Sequence, residues 1–342
     1  MITKNPEAVQ CLDRSWQQQL ADAYRDPAAL LQALALDPAP FADGFSAKKQ
    51  FPMLVPKAFA EKMVKGDSSD PLLLQVLPQA AEFIQAAGFN VDPTGEQDNT
   101  KPGLLHKYQS RALLMLRSGC AVNCRYCFRR HFPYQDNKVG KEQIAETVAY
   151  LNSDSNINEL LLSGGDPLMA RDDHLQQLFS ALGEAKHLKR VRIHSRLPVV
   201  LPARITDALV ELCQQAPWQM ILVLHSNHAN EIDAELAAGL AKLKAAGVTL
   251  LNQGVLLKGV NDNAATLAAL SERLFEVGVL PYYLHQLDKV QGASHYEVSD
   301  DQARTLMAEL YRLLPGFLVP KLVREIGGRS SKTPIDLHLE QG

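Results

Sequence analysis

Ser118–Phe132 reads S-G-C-A-V-N-C-R-Y-C-F-R-R-H-F, and Cys120, Cys124 and Cys127 within it form a C-x3-C-x2-C triplet. Three thiolates carried this close together can converge from one loop on one metal centre. Iron–sulfur clusters are held by cysteine thiolates, usually four. The two other cysteines, Cys11 and Cys213, lie far from the triplet and fall in helical patterns. A cubane held by three cysteines leaves one iron open to a small molecule. Zinc is the competing reading, but a closed structural zinc site takes four ligands, with a second C-x2-C or H-x3-H half. No such half lies nearby. Plain burial is the third reading, and Tyr126 with Arg125, Arg129 and Arg130 argues against a purely apolar setting.

Outward from the triplet the chain alternates between short apolar runs and amphipathic stretches. The runs predict strands over Ala112–Arg117, Glu159–Ser163, Arg190–Ser195, Met220–His225, Thr249–Leu257 and Leu280–Leu287, with a short further strand over Leu318–Arg324. Helices are predicted over Lys141–Ser153, Arg171–Leu188, Thr206–Gln215, Asp233–Ala246, Asn263–Val277 and Ser299–Leu314. This alternation implies βαβ units and a parallel sheet, which right-handed crossovers curl into a barrel. The fold class expected is therefore α/β, a partial (β/α)6 barrel preceded by a helical region. A doubly wound open sheet is the alternative. It should carry a Gly-rich phosphate loop after its first strand, and there is none.

Residues 1–100 read as a helical N-terminal region and linker, and residues 101–342 as the barrel with a C-terminal segment. Val9–Ala21, Pro27–Leu36 and Pro71–Ala87 carry apolar residues at helical spacing, the last stopping at Gly88 as a C-cap. Asp92–Pro102 is polar and turn-rich, which reads as a linker.

The 342 residues are 46% hydrophobic and 21% charged, an ordinary soluble balance. A net charge of −3 gives no support to a nucleic-acid-binding surface. The start, Met1–Pro6, has no apolar run of a secretory signal, and no stretch approaches the ~18 apolar residues of a membrane span. Five cysteines, an odd number with three clustered, fit a reducing cytoplasm better than a disulfide framework.

In parallel α/β architectures sites gather at the C-terminal ends of strands. Cys120 follows the first predicted strand and Gly164-Gly165-Asp166 the second. His194 and Arg196 end the third, and His225 ends the fourth. Gln253 lies within the fifth, and Asp288 ends the sixth. Alone, Gly164-Gly165-Asp166-Pro167 is a turn before a helix. Beside a cysteine triplet, two glycines also let backbone approach a ligand closely. His194, Arg196, His225 and Gln253 each read equally well as satisfied polar residues near a strand end.

Taken together, the triplet and the Gly-Gly-Asp turn resemble the radical S-adenosylmethionine (radical SAM) superfamily. Further strings narrow the resemblance. They are H-K-Y at His106–Tyr108, R-I-H-S-R-L-P-V-V-L-P-A-R-I at Arg192–Ile205, H-S-N-H-A-N-E at His225–Glu231, N-Q-G-V-L-L-K-G-V-N-D at Asn252–Asp262, and K-T-P at Lys332–Pro334. In this order they are similar to the lysine 2,3-aminomutases, over residues 60–335, and in length to a short bacterial branch that supplies β-lysine for modifying elongation factor P.

The resemblance implies an isomerase that moves the α-amino group of L-lysine to the β-carbon, with a 4Fe–4S cluster, S-adenosylmethionine and pyridoxal phosphate as cofactors. Cys120, Cys124 and Cys127 match the cluster ligands. Gly164, Gly165, Asp166, His225 and Gln253 match positions that contact S-adenosylmethionine. Lys332 matches the lysine that carries pyridoxal phosphate as a Schiff base, and Lys107 and Arg111 match residues that hold its phosphate. Arg129 matches the arginine that pairs with the substrate carboxylate, while Asp288 and Glu325 match two acids that hold its ε-ammonium. The chain departs from the long enzymes in three ways. His285 stands for an aromatic near the cofactor, Glu325 for an aspartate, and Asn263 for a zinc-binding cysteine, so no structural zinc is expected. Partners implied are an electron donor such as flavodoxin or ferredoxin and the ligase that modifies elongation factor P. Competing readings are an aminomutase on glutamate or arginine, a radical SAM enzyme without pyridoxal phosphate, and a non-catalytic metal-binding protein. Two acids at the far end of the pocket argue against glutamate, because unpaired like charges are costly there.

Overall fold

The computed structural model describes residues 14–97, 101, 103–329 and 331–339. Cys11 and the first residues of the predicted helix Val9–Ala21 lie outside the described residues. Nine strands form one sheet in the order β1-β2-β3-β4-β5-β6-β7-β8-β9, so every strand pairs with its neighbours in sequence. They are β1 Leu104–Tyr108, β2 Arg111–Arg117, β3 Glu159–Gly164, β4 Arg190–Ser195, β5 Gln219–Leu224, β6 Thr249–Val255, β7 Leu280–His285, β8 Lys321–Arg324 and β9 Thr333–Pro334. Strands β2 to β8 run parallel, as the helical crossovers require, while β1 and β9 join the two ends antiparallel. The antiparallel ends are additions to the expected pattern. The sheet curls into an open barrel whose interior is lined from β1 to β7.

Strand periodicity explains the two faces. In β4, Arg190-Val191-Arg192-Ile193-His194, the valine and isoleucine are buried in the main apolar core, and the alternate Arg190, Arg192 and His194 line the interior. The crossover helices start on capping side chains. Thr206 accepts from the Leu209 amide at 3.0 Å, Asp233 from Leu236 at 2.8 Å, and Asn263 from Thr266 at 2.9 Å. Each such cap contributes typically ~1 kcal/mol. Asn263, expected in place of a zinc cysteine, is thus the N-cap of the helix Ala264–Glu276.

Before β1, the helices Trp16–Ala21 and Pro27–Ala33 and the short turns Lys57–Ala60 and Pro71–Leu74 pack on the barrel. Trp16, Leu30, Phe59 and Leu72 share one core with Leu114, Leu160, Val191 and Leu222 of the strands. The helix expected over Pro71–Ala87 is not continuous. It breaks after Leu74 and resumes as a 3-10 turn at Ala80–Phe83. Pro78 has no N–H to donate and its ring cannot follow a helical turn. The break delivers Gln75 and Glu82 to the cysteine loop.

Candidate active site

The barrel encloses a cavity of about 530 Å³, and all the site residues named from the sequence line it. The strand ends bring most of them together. Lys107 and Arg111 flank the β1–β2 hairpin, where Tyr108 pairs with Arg111. The Arg111 guanidinium lies over the Tyr108 ring at 3.9 Å.

The cysteine loop follows β2. Its three thiols are free, and burial pushes all three up, Cys127 to about 11. Bound iron would reverse that preference, since a coordinating thiol is deprotonated. Among the described residues no group of three His, Cys, Asp or Glu is placed to hold one metal ion. A cubane asks for something different, because its three cysteines bind three separate irons. Three free thiols from one loop, facing one cavity, fit that donor set. Cys213 sits apart, buried in the helix Asp207–Gln215.

The loop is fixed from beneath by charge. Arg125 is fully buried, and its Nε donates to Glu82 at 2.8 Å. Arg130 Nη2 donates to the same carboxylate at 2.8 Å. The Arg125 amide donates to the Gln75 carbonyl at 2.9 Å, so both N-terminal segments grip the loop. Tyr126 enters a second network, in which Asn227 Nδ2 donates to its hydroxyl at 2.7 Å and to Gln75 Oε1 at 2.8 Å.

The two glycines after β3 serve the same loop. A Cβ on Gly165 would lie 2.5 Å from the Gly119 carbonyl oxygen, and one on Gly164, at φ +116°, 2.6 Å from that of Arg117. The close approach that needs glycine is therefore to the backbone leading into the cysteine loop. Asp166 is spent on structure as well. Its carboxylate accepts from the Leu168, Arg196 and Leu197 amides at 3.0, 2.9 and 2.9 Å, and from Ser195 Oγ at 2.8 Å. Its side chain clasps β3 to β4, and the backbone of this turn is left to meet a ligand.

His225 and Gln253 meet at 3.0 Å between their Nε2 atoms. Burial, with Arg196, Lys332 and Arg129 nearby, pushes His225 down to about 3. The ring is neutral at ordinary pH and accepts from the glutamine amide. His285, which is buried, and His194, which is half-buried, are also pushed well down by desolvation.

The acids differ sharply. Glu325 accepts from Lys332 Nζ at 3.2 Å and from the Tyr108 hydroxyl at 2.7 Å. The Asp288 carboxylate has no hydrogen bond or ion pair among the described residues. Burial pushes it up to about 7, against the pull of Lys332 and with Glu325 and Glu96 adding to the rise. One cavity-lining acid escaped the sequence reading. Glu96, in the stretch read as a linker, is 6% exposed and reaches into the cavity. Its Oε2 accepts from Arg129 Nε at 2.7 Å and its Oε1 from Lys107 Nζ at 3.1 Å. Burial alone would raise its pKa, but Arg129 and then Lys107 outweigh that and hold it at about 2.

Comparison with known proteins places the chain among relatives. The Radical SAM superfamily profile matches residues 116–270, which include the cysteine loop and β3 to β6. A protein named L-lysine 2,3-aminomutase from Escherichia coli (strain K12) is 55% identical over 95% of this chain and 96% of its own length. One of the same name from Haemophilus influenzae is 50% identical over 94% and 95%. A third, from Clostridium subterminale, is 36% identical over 84% of this chain and 69% of its own length. Because the likeness runs through the helical N-terminal segments as well as the barrel and its cysteine loop, the chain belongs to the L-lysine 2,3-aminomutase family of the radical SAM superfamily.

Proposed function

We propose that the chain converts L-lysine to β-lysine by a 2,3-amino migration. The Cα–N bond is exchanged for a Cβ–N bond and one hydrogen passes from Cβ to Cα, so the formula and oxidation level are unchanged. When bound, the cluster, S-adenosylmethionine and pyridoxal phosphate supply the radical chemistry. The chain's own work is to hold, orient and keep water out. Cys120, Cys124 and Cys127 would hold three irons and leave the fourth to S-adenosylmethionine. The backbone of Gly164–Asp166, with His225 and Gln253, would seat that molecule. Lys332 would hold pyridoxal phosphate, with Lys107 and Arg111 at its phosphate. Arg129 would take the substrate carboxylate, and Asp288 with Glu325 its ε-ammonium.

The observation that carries the substrate assignment is Asp288. A half-buried carboxylate on a cavity wall, with no cation beside it among the described residues, is costly to keep charged, and a lysine side chain entering the cavity would supply that cation. We place the product's use in β-lysylation of elongation factor P by a ligase, with electrons from a flavodoxin- or ferredoxin-type donor in the cytoplasm. This rests on the likeness to the short branch. A division into residues 1–100 and the barrel 101–342 goes with the same reading. The test is anaerobic reconstitution with iron and sulfide, then incubation of lysine with S-adenosylmethionine, pyridoxal phosphate and dithionite. Chromatography with mass spectrometry should show a lysine isomer of unchanged mass. Cleavage of S-adenosylmethionine with lysine recovered intact, or conversion that ignores pyridoxal phosphate, would refute the reading.

A further inference from the structure

Arg129 and Lys107 stand at two different ligand groups in the reading above, yet one carboxylate joins them. A guanidinium has five N–H donors. Arg129 Nη1 donates to Ser163 Oγ at 3.0 Å and to the Gly164 carbonyl at 3.2 Å, while Nε and Nη2 donate to Glu96 at 2.7 and 3.3 Å. Among the described residues, four of the five are committed and one on Nη2 is left. An ammonium has three donors. Among the described residues, Lys107 gives one to Glu96 at 3.1 Å and one to the Thr94 carbonyl at 3.1 Å, which leaves one.

Glu96 is itself held in place. Asp92 accepts from the Glu96 amide at 3.0 Å and from the Gln97 amide at 2.9 Å, folding D-P-T-G-E-Q into a closed turn with Gly95 at φ +63°. A carboxylate anchored this way is a fixed strut.

We propose that Glu96 is a positioning residue that couples the substrate-carboxylate anchor Arg129 to the cofactor-phosphate anchor Lys107, aiming the one uncommitted N–H of each into the cavity. The proposal rests on the roles assigned to Arg129 and Lys107 above. With a single donor left on each cation, direction decides how well each ligand binds. Losing the shared carboxylate should therefore weaken both ligands together, although Glu96 touches neither.

The test is Glu96→Gln and Glu96→Asp in the reconstituted full-length enzyme. A charge-assisted hydrogen bond corresponds to roughly tenfold in affinity. Glu96→Gln should raise the lysine KM roughly tenfold and weaken pyridoxal phosphate binding, read by absorbance titration, severalfold. It should leave kcat within about twofold and iron content unchanged. Glu96→Asp, whose shorter arm still offers a carboxylate, should recover part of both losses. A fall in KM in Glu96→Gln would overturn the proposal, because Glu96 would then be a competitor that substrate displaces. Unchanged constants, or a loss in kcat alone, would overturn it too. Should Glu96→Gln fail to fold, Glu96→Asp alone must still raise both constants. Should the wild type make no β-lysine, the functional reading falls, while the pyridoxal phosphate titration still decides the coupling to Lys107.

Discussion

Glu82 is a buried carboxylate and Asp288 a half-buried one on the cavity wall, and their neighbourhoods are opposite. Glu82, 2% exposed, receives Arg125 and Arg130 from the cysteine loop. Asp288 faces the cavity with no hydrogen bond or ion pair among the described residues and is pushed up to about 7. Paired charge beneath the loop makes a rigid seat, since removing either member strands the other in low dielectric. Unpaired charge costs the empty fold something and is cheapest to keep where a cationic ligand regularly arrives. The contrast separates a carboxylate that holds the protein together from one left open to the cavity.

The comparison breaks most visibly at Glu82. Glu82→Ala leaves two buried guanidinium groups with backbone acceptors alone, and should cost about 3–5 kcal/mol. Denaturant unfolding of the cofactor-free protein measures it, and a loss below ~1 kcal/mol, the range of an exposed pair, would show the clamp to be incidental. Asp288→Asn should do the reverse. Stability should hold or improve, while kcat/KM for lysine falls roughly tenfold or more. Equal turnover of lysine in that variant, with equal use of norleucine, would reopen the question of substrate.

A pH series sharpens the same contrast. An acid whose folded pKa is raised favours the fold when protonated, so its contribution is complete below the ordinary value of 3.8 and is lost as pH rises through about 7. Wild type should therefore lose stability between those pH values relative to Asp288→Asn, and a flat difference between the two would count against the unpaired state. The smallest effect is expected at Cys213. It lies outside both neighbourhoods, and Cys213→Ala should cost about 1–2 kcal/mol of core packing with iron and sulfide content unaltered. Loss of iron in that variant would remove the cluster assignment from the loop.

The barrel was legible because its signals are local. Thr206, Asp233, Asn263 and Ser299 cap the helices that follow them, and apolar runs such as Leu160–Leu162 stand between. The positions of Cys120, His225 and Asp288 at strand ends followed from that alternation. The N-terminal part was harder, because helical spacing over Pro71–Ala87 outvoted the proline inside it. Asp166 was read for a ligand, but its side chain is claimed by amides some thirty residues away, at Arg196 and Leu197. Glu96 left no trace at all, since its cations lie 11 and 33 residues along the chain. Pairing across such separations is a property of the fold, and no window of sequence displays it.

One feature of the sheet bears on how Lys332 is presented. Immediately after it, Thr333–Pro334 pairs with Val323 and Arg324, and the Ile335 amide donates to the Leu322 carbonyl at 3.1 Å. The ends of the segment 325–332 are thus stitched to one edge of the barrel, and the amine hangs on a short leash beside the cavity. A short leash of that kind sets an effective concentration, on the order of millimolar. The edge strand is only two residues long, and Lys332 Nζ donates to Glu325 at 3.2 Å, so the tether and the ion pair together keep the amine on the cavity lining. A diffusible amine offered in its place would have to be present at comparable, roughly millimolar, levels to match what those two residues provide.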